Sequence, residues 1–119
     1  MKKSVRVALV GVGNCASALV QGVHYYDQPR PGLMHWSIDE YLPSSIEFSA
    51  AFDVDVAKVG KTLDVAIHSG ENNTYKFSEV PTLPVTVQPS PVLDGMGRRY
   101  AEKITPIDSA QSVDVVRAL

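Results

Sequence analysis

The sequence predicts an α/β fold: a parallel sheet with helices on both faces, forming the first half of a doubly wound domain. Three observations predict it. Residues 6–23, "RVALVGVGNCASALVQGV", run from an apolar strand through a glycine-spaced turn into a stretch of helical period. A second apolar run, "IEFSAAFD", ends in an acid. Strand-like and helix-like segments alternate along the chain, which is the order of a doubly wound sheet.

The first strand, Val5–Val10, is apolar at nearly every position, as a central parallel strand must be when helices cover both its faces. After the turn, Ala16, Leu19, Val20, Val23 and Tyr26 recur at helical spacing and form one apolar stripe about three turns long. Gln21, His24 and Tyr25 point away from that stripe. Pro29, Pro31 and Gly32 stop the helix and open an irregular insertion over residues 28–45, with Trp36 and Tyr41 folded down as anchors.

Residues 46–52 form the second strand, which ends at Asp53. Residues 54–69 read as a helix, kinked at Gly60. "SGENNTYK" at 69–76 is turn chemistry: a glycine, then two asparagines that tolerate left-handed conformations. Residues 85–87, between Pro84 and Pro89, make a third short strand. Asp94 and Gly95 precede a helix to about Lys103, and Ser112 caps a last helix over 113–119.

Composition narrows the function. The chain has 119 residues, net charge −2, 45% hydrophobic and 20% charged residues, which suits one globular domain over 1–119. Lys2–Lys3 and Arg98–Arg99 are the only basic pairs, so there is no footprint for nucleic acid. No apolar run approaches the ~20 residues of a membrane span. Ser4 and Arg6 interrupt any signal-peptide pattern at the start. One cysteine forms no internal disulfide, which fits a reducing cytoplasm. His24, His35 and His68 lie far apart, without partners at metal-ligand spacing, so no metal site is expected.

The turn itself carries the chemistry. Residues 11–16, Gly-Val-Gly-Asn-Cys-Ala, have the G-x-G-x-x-A spacing between a strand and a helix. Gly11 permits the tight turn, Gly13 leaves room for a pyrophosphate against the backbone, and Ala16 lets the helix pack closely on the sheet. The helix then presents free N–H groups and its positive dipole end to the phosphates. A dinucleotide-binding Rossmann turn is the reading that uses every small residue; a purely structural turn is the alternative.

Such a site expects an acid at the end of strand two. Asp53 stands there, 40 residues after Gly13, where the usual interval is about 20. The insertion accounts for the surplus. Asp53 either binds the adenosine ribose or caps the following helix, and Asp55 competes for the cap. An acid there repels a 2′-phosphate, so NAD is favoured over NADP. Cys15, at a helix N-terminus, is either a small residue beneath the cofactor or a thiol of raised reactivity. His24 reads as an exposed helix residue rather than a base.

Together, "VALVGVGNCASALVQGV", "PGLMH", "AAFDVDVAKVGK", "ENNT", "LDGMG" and "VDVV" resemble the N-terminal part of archaeal and actinobacterial inositol-1-phosphate synthases, also called myo-inositol-3-phosphate synthases. The resemblance covers nearly the whole chain. It implies that Gly11, Gly13, Asn14, Cys15 and Ala16 line the pyrophosphate of bound NAD, with Val12 among the cofactor-binding residues and Asp53 at the ribose. "ENNT" and "LDGMG" are expected to shape loops. The family converts glucose 6-phosphate to an inositol phosphate, for phospholipid synthesis, by oxidation at C5, enolisation, aldol ring closure and reduction with the same NAD. It also implies a cytoplasmic homo-oligomer, a tetramer.

No catalytic residue is assigned in this chain, because none of its lysines matches a catalytic motif of the family. With only three readable strands, one edge of the first strand is expected to lie open. The last helix has no glycine stop. The expectation is therefore a cofactor-binding portion of a longer enzyme. Two other readings stay open: an NAD-dependent dehydrogenase that exchanges its cofactor, and a non-catalytic nucleotide-binding domain.

Overall fold

The computed structural model describes residues 3–93, 102–108 and 111–119. Three strands pair in parallel, in the order β1 (Val5–Val10), β2 (Ile46–Asp53), β3 (Val87–Pro89). Helix α1 (Asn14–Tyr25) follows β1, a single 3-10 turn (Pro43–Ser45) precedes β2, and short helices α2 (Leu63–Ala66) and α3 (Val115–Ala118) complete the order. The predicted parallel α/β sheet is the one that forms.

The pairing of β1 with β2 runs from Val5 opposite Ile46 to Val10 opposite Phe52, with an irregularity after Val7 that leaves Ser49 unmatched. Before that bulge, exposed and half-buried residues alternate along β2; Ala50, Ala51, Phe52 and Asp53 beyond it are all buried. The strand thus passes from a one-sided to a two-sided environment as it reaches the glycine turn. Strand β1 forms one edge of the sheet, and Val10 is 70% exposed.

Leu9, Val12, Ala16, Val20, Ala51, Leu63, Ile67 and Val87 share one apolar core with their neighbours. Helix α1 faces it with Ala16 and Val20, and its other buried residues are Ser17 and Gln21. That corrects the predicted stripe. Leu19 is exposed, while Gln21 is wholly buried. Its Nε2 donates to Ser17 Oγ at 3.1 Å, and its Oε1 accepts the N–H groups of Phe77 at 2.9 Å and Ser78 at 3.4 Å. A buried amide is tolerated because both its ends are paired. Polarity alone therefore misplaced Leu19 and Gln21, while Ala16 and Val20 lie in the core as predicted.

The predicted helix over 54–69 forms only at Leu63–Ala66. Its backbone groups are used elsewhere. Val56 N–H donates to Thr105 O at 3.0 Å, and Ile107 N–H to Val54 O at 2.7 Å. Gly60, at φ +87°, donates to Val87 O at 2.8 Å, and Leu63 N–H donates to Val85 O at 2.8 Å. The turn at Gly60 and Leu63, the first residue of α2, thus bond to the two ends of 85–87, with Thr62 bridged antiparallel to Thr86 between them. This second partner also explains the shift of β3 from 85–87 to Val87–Pro89.

Three smaller expectations change. Asp114, not Ser112, caps the last helix, accepting the N–H of Arg117 at 3.2 Å, because Val113 donates to Pro89 O and stays outside it. Among residues 69–76 the left-handed position is Gly70, at φ +62°, and neither asparagine is left-handed. The predicted helix from Asp94 to Lys103 falls largely on 94–101, outside the described residues. In the insertion, residues 26–42 contain no helix or strand; Trp36 is half-buried and Tyr41 37% exposed, and both line a cavity with Leu19 and Val23 of α1.

Candidate dinucleotide site

The site is built where β1 ends. Gly11 turns the chain at φ +104°, a conformation that side-chain-bearing residues rarely adopt, and its N–H donates to Phe52 O at 2.8 Å. Val12 follows with its side chain fully buried in the core. Gly13 is the N-cap of α1 in an extended conformation, and a Cβ there would meet no atom within 4 Å. Nothing in the fold itself requires glycine at that position. Open space beside the backbone is what a close-approaching phosphate would use.

Helix α1 opens without a side-chain cap and without an acid in its first turn. Its leading N–H groups and positive dipole end therefore face the open side of the turn. Cys15 is exposed on this first turn, and Ala16 is buried against the sheet. An uncapped N-terminus beside an open glycine fits an anion such as a pyrophosphate.

Asp53 comes to the same place from β2. One carboxylate oxygen, Oδ2, accepts the N–H of Val12 at 2.7 Å; the other, Oδ1, accepts those of Val54 at 2.7 Å and Asp55 at 3.0 Å. The side chain thus closes the turn after β2 and also reaches the glycine turn. The capping role read for Asp53, and for Asp55 as its competitor, falls away, because no helix starts at 54 and Thr62 is the N-cap of α2. A carboxylate has about four acceptor positions, so one remains for a ligand hydroxyl.

The loop 71–74 is the part that sequence reasoning undervalued. Asn72 Nδ2 donates to Val12 O and to Ile67 O, each at 3.0 Å. Asn14 Oδ1 accepts Asn73 N–H at 2.9 Å, Thr74 N–H at 3.0 Å and Thr74 Oγ1 at 2.7 Å. "ENNT" does shape a loop, and that loop is fastened to the glycine turn. Two adjacent asparagines after a glycine were the available signal, since they can bond backbone groups distant in sequence.

Other titratable groups lie away from this centre. His24 is half-buried near the far end of α1, roughly 15 Å from the turn at 1.5 Å per residue. Burial pushes its imidazole below the ordinary value of 6.5. Asp55 and Lys58 form a buried ion pair at 3.9 Å in the turn after β2. Among the described residues, no group of three or more histidines, cysteines or acids could hold a metal, and no helix is long and apolar enough to cross a membrane.

No family model matches the chain. It is 51% identical over 120 residues to an inositol-3-phosphate synthase of Mycolicibacterium smegmatis, an alignment covering 97% of this chain and 33% of that protein. It is 52% identical to the Mycobacterium tuberculosis (strain H37Rv) protein of the same name, over 97% of this chain and 32% of that one. Among solved structures, that of Ari2 superposes with a TM-score of 0.69 at 31% identity, over 76% of this chain and 29% of Ari2. A myo-inositol-1-phosphate synthase-related protein from Thermotoga maritima shares the fold, with a TM-score of 0.63 at 20% identity, over 97% of this chain and 29% of its own. This chain is a relative of the inositol-3-phosphate synthases over nearly its whole length, and it spans about a third of the length of those it matches.

Proposed function

We propose that this chain is the NAD-binding part of an inositol-3-phosphate synthase, an isomerase acting on glucose 6-phosphate. The observation that carries the cofactor assignment is the meeting of Asp53 with the glycine turn, beside the uncapped start of α1. The leading N–H groups of α1 would hold the pyrophosphate, with Gly13 giving it access and Gly11, Val12, Asn14, Cys15 and Ala16 shaping the cradle. Asp53 would accept one adenosine ribose hydroxyl with its remaining lone pair, and its charge would repel the 2′-phosphate of NADP. When bound, NAD would supply reversible hydride-transfer chemistry, so that the conversion of glucose 6-phosphate to 1D-myo-inositol 3-phosphate would carry no net oxidation.

The chain's own residues bind and orient; none is assigned to proton transfer or to the ring closure. The proposal extends, as the family resemblance implies, to a cytoplasmic homo-oligomer working in inositol and phospholipid synthesis. Calorimetric titration with NAD and with NADP tests the cofactor reading. Binding of NAD, tighter than NADP, is expected. A chain that binds neither, or prefers NADP, overturns it.

A further inference from the structure

The loop 71–74 has a consequence for how the cradle stays open. Asn14 is the first residue of α1, next to N–H groups that lack intrahelical partners. Its amide oxygen is instead turned outward, where three donors from Asn73 and Thr74 meet it at 2.7–3.0 Å. Thr74 Oγ1 also lies 3.1 Å from Asn14 O, so one hydroxyl reaches both the side chain and the main chain of that residue. Asn72 holds the other side of the turn through Val12 O, while Asp53 holds Val12 N–H. Both backbone groups of Val12 are thereby gripped by side chains from two separate segments.

We infer that Asn72 and Thr74 are positioning residues for dinucleotide binding: acting through Val12 and Asn14, they aim the first N–H groups of α1 and keep them uncapped for a phosphate. This inference rests on the proposed NAD site. The physical point is preorganisation. A turn already fixed in its binding geometry loses little freedom when the ligand arrives, and that saving appears as affinity. Neither residue needs to touch the ligand for this.

Thr74→Val keeps the shape of the side chain and removes the hydroxyl; Thr74→Ser keeps the hydroxyl. Asn14→Ala cuts the same link from the other side with a residue favourable in a helix. By calorimetry, Thr74→Val is expected to weaken NAD binding about tenfold, the size of one or two lost hydrogen bonds, with Thr74→Ser close to wild type. The double variant Asn14→Ala/Thr74→Val should bind little worse than the weaker single variant, because both changes break one connection. In the ligand-free chain, the amide resonances of Cys15 and Ala16 should move in Thr74→Val and return in Thr74→Ser. A chain that binds no NAD overturns the site reading and this inference with it. A chain that binds NAD equally well with Thr74→Val, or in which the two losses simply add, overturns this inference alone.

Discussion

The main-chain N–H of Val12 donates to Asp53 Oδ2 at 2.7 Å across 41 residues of sequence, joining the glycine turn to the end of β2. Both residues are buried, so the bond is made where water does not compete for it. It sets the height of the turn against the sheet. It also holds the Asp53 carboxylate against the residue that precedes Gly13.

Replacing Asp53 should therefore affect the fold as well as the ligand. Asp53→Ala removes the acceptor for Val12, Val54 and Asp55 together, and a loss of about 3 kcal/mol in unfolding free energy is expected. Urea denaturation measures it. At temperatures where the variant stays folded, its preference for NAD over NADP should narrow. An unchanged preference would leave Asp53 only a structural role.

Gly13 should behave in the opposite way. Its φ of −93° is open to any residue, and a Cβ would meet no protein atom within 4 Å. Gly13→Val is expected to fold normally by circular dichroism yet lose measurable NAD binding, because the branched side chain stands where the phosphates would approach. Gly13→Ser should match or slightly exceed wild-type stability by adding a helix cap, and still weaken binding. Wild-type affinity in both variants would remove the pyrophosphate from this turn.

Lys58 and Asp55 form an ion pair whose side chains are only 1% and 4% exposed. Asp55 Oδ1 also accepts Ala57 N–H at 2.9 Å, but Oδ2 has no hydrogen bond. Lys58→Ala would leave that carboxylate buried without its cation, at a cost of about 3–5 kcal/mol. Lys61→Ala, at an exposed residue bonded to Ser69 Oγ, should change stability by less than about 0.5 kcal/mol. Equal effects of the two would deny the buried pair its role.

His24 gives the chain a pH dependence of known sign. Because burial lowers its pKa in the folded state, the unfolded chain takes up the proton first as pH falls. The contribution of neutral His24 is fully present above 6.5 and declines as pH drops from 6.5 to the lowered folded value. His24→Gln should therefore lose less of its unfolding midpoint than wild type between about pH 7 and about pH 5. A steeper decline in the variant would reverse the assignment.

The 119-residue chain alone is expected to form no inositol phosphate from glucose 6-phosphate and NAD, followed by NMR. An enolate and a substrate phosphate need preorganised cations around them. Among the described residues, Lys3, Lys58 and Lys76 are held in ion pairs, Lys61 is bonded to Ser69, and Lys103 is exposed. Clear turnover would assign a catalytic part to one of the chain's lysines.

What could be read from the sequence was local. The strand Val5–Val10, the turn at Gly11 and the start of α1 follow from apolar runs, one left-handed glycine and helical spacing over neighbouring residues. The parallel sheet followed from the order of those segments. Tertiary structure decided the rest, because a backbone group or amide side chain takes whichever partner the fold brings near. Residues 60–62 gave up their helix to bond with 85–87, and Gln21 turned inward because Phe77 and Ser78 lay within its reach. Asn72 and Asn14 became fasteners of the glycine turn for the same reason. Their partners lie 56–60 residues away, beyond what any short-range pattern can register, and only the closed chain sets those bonds in place.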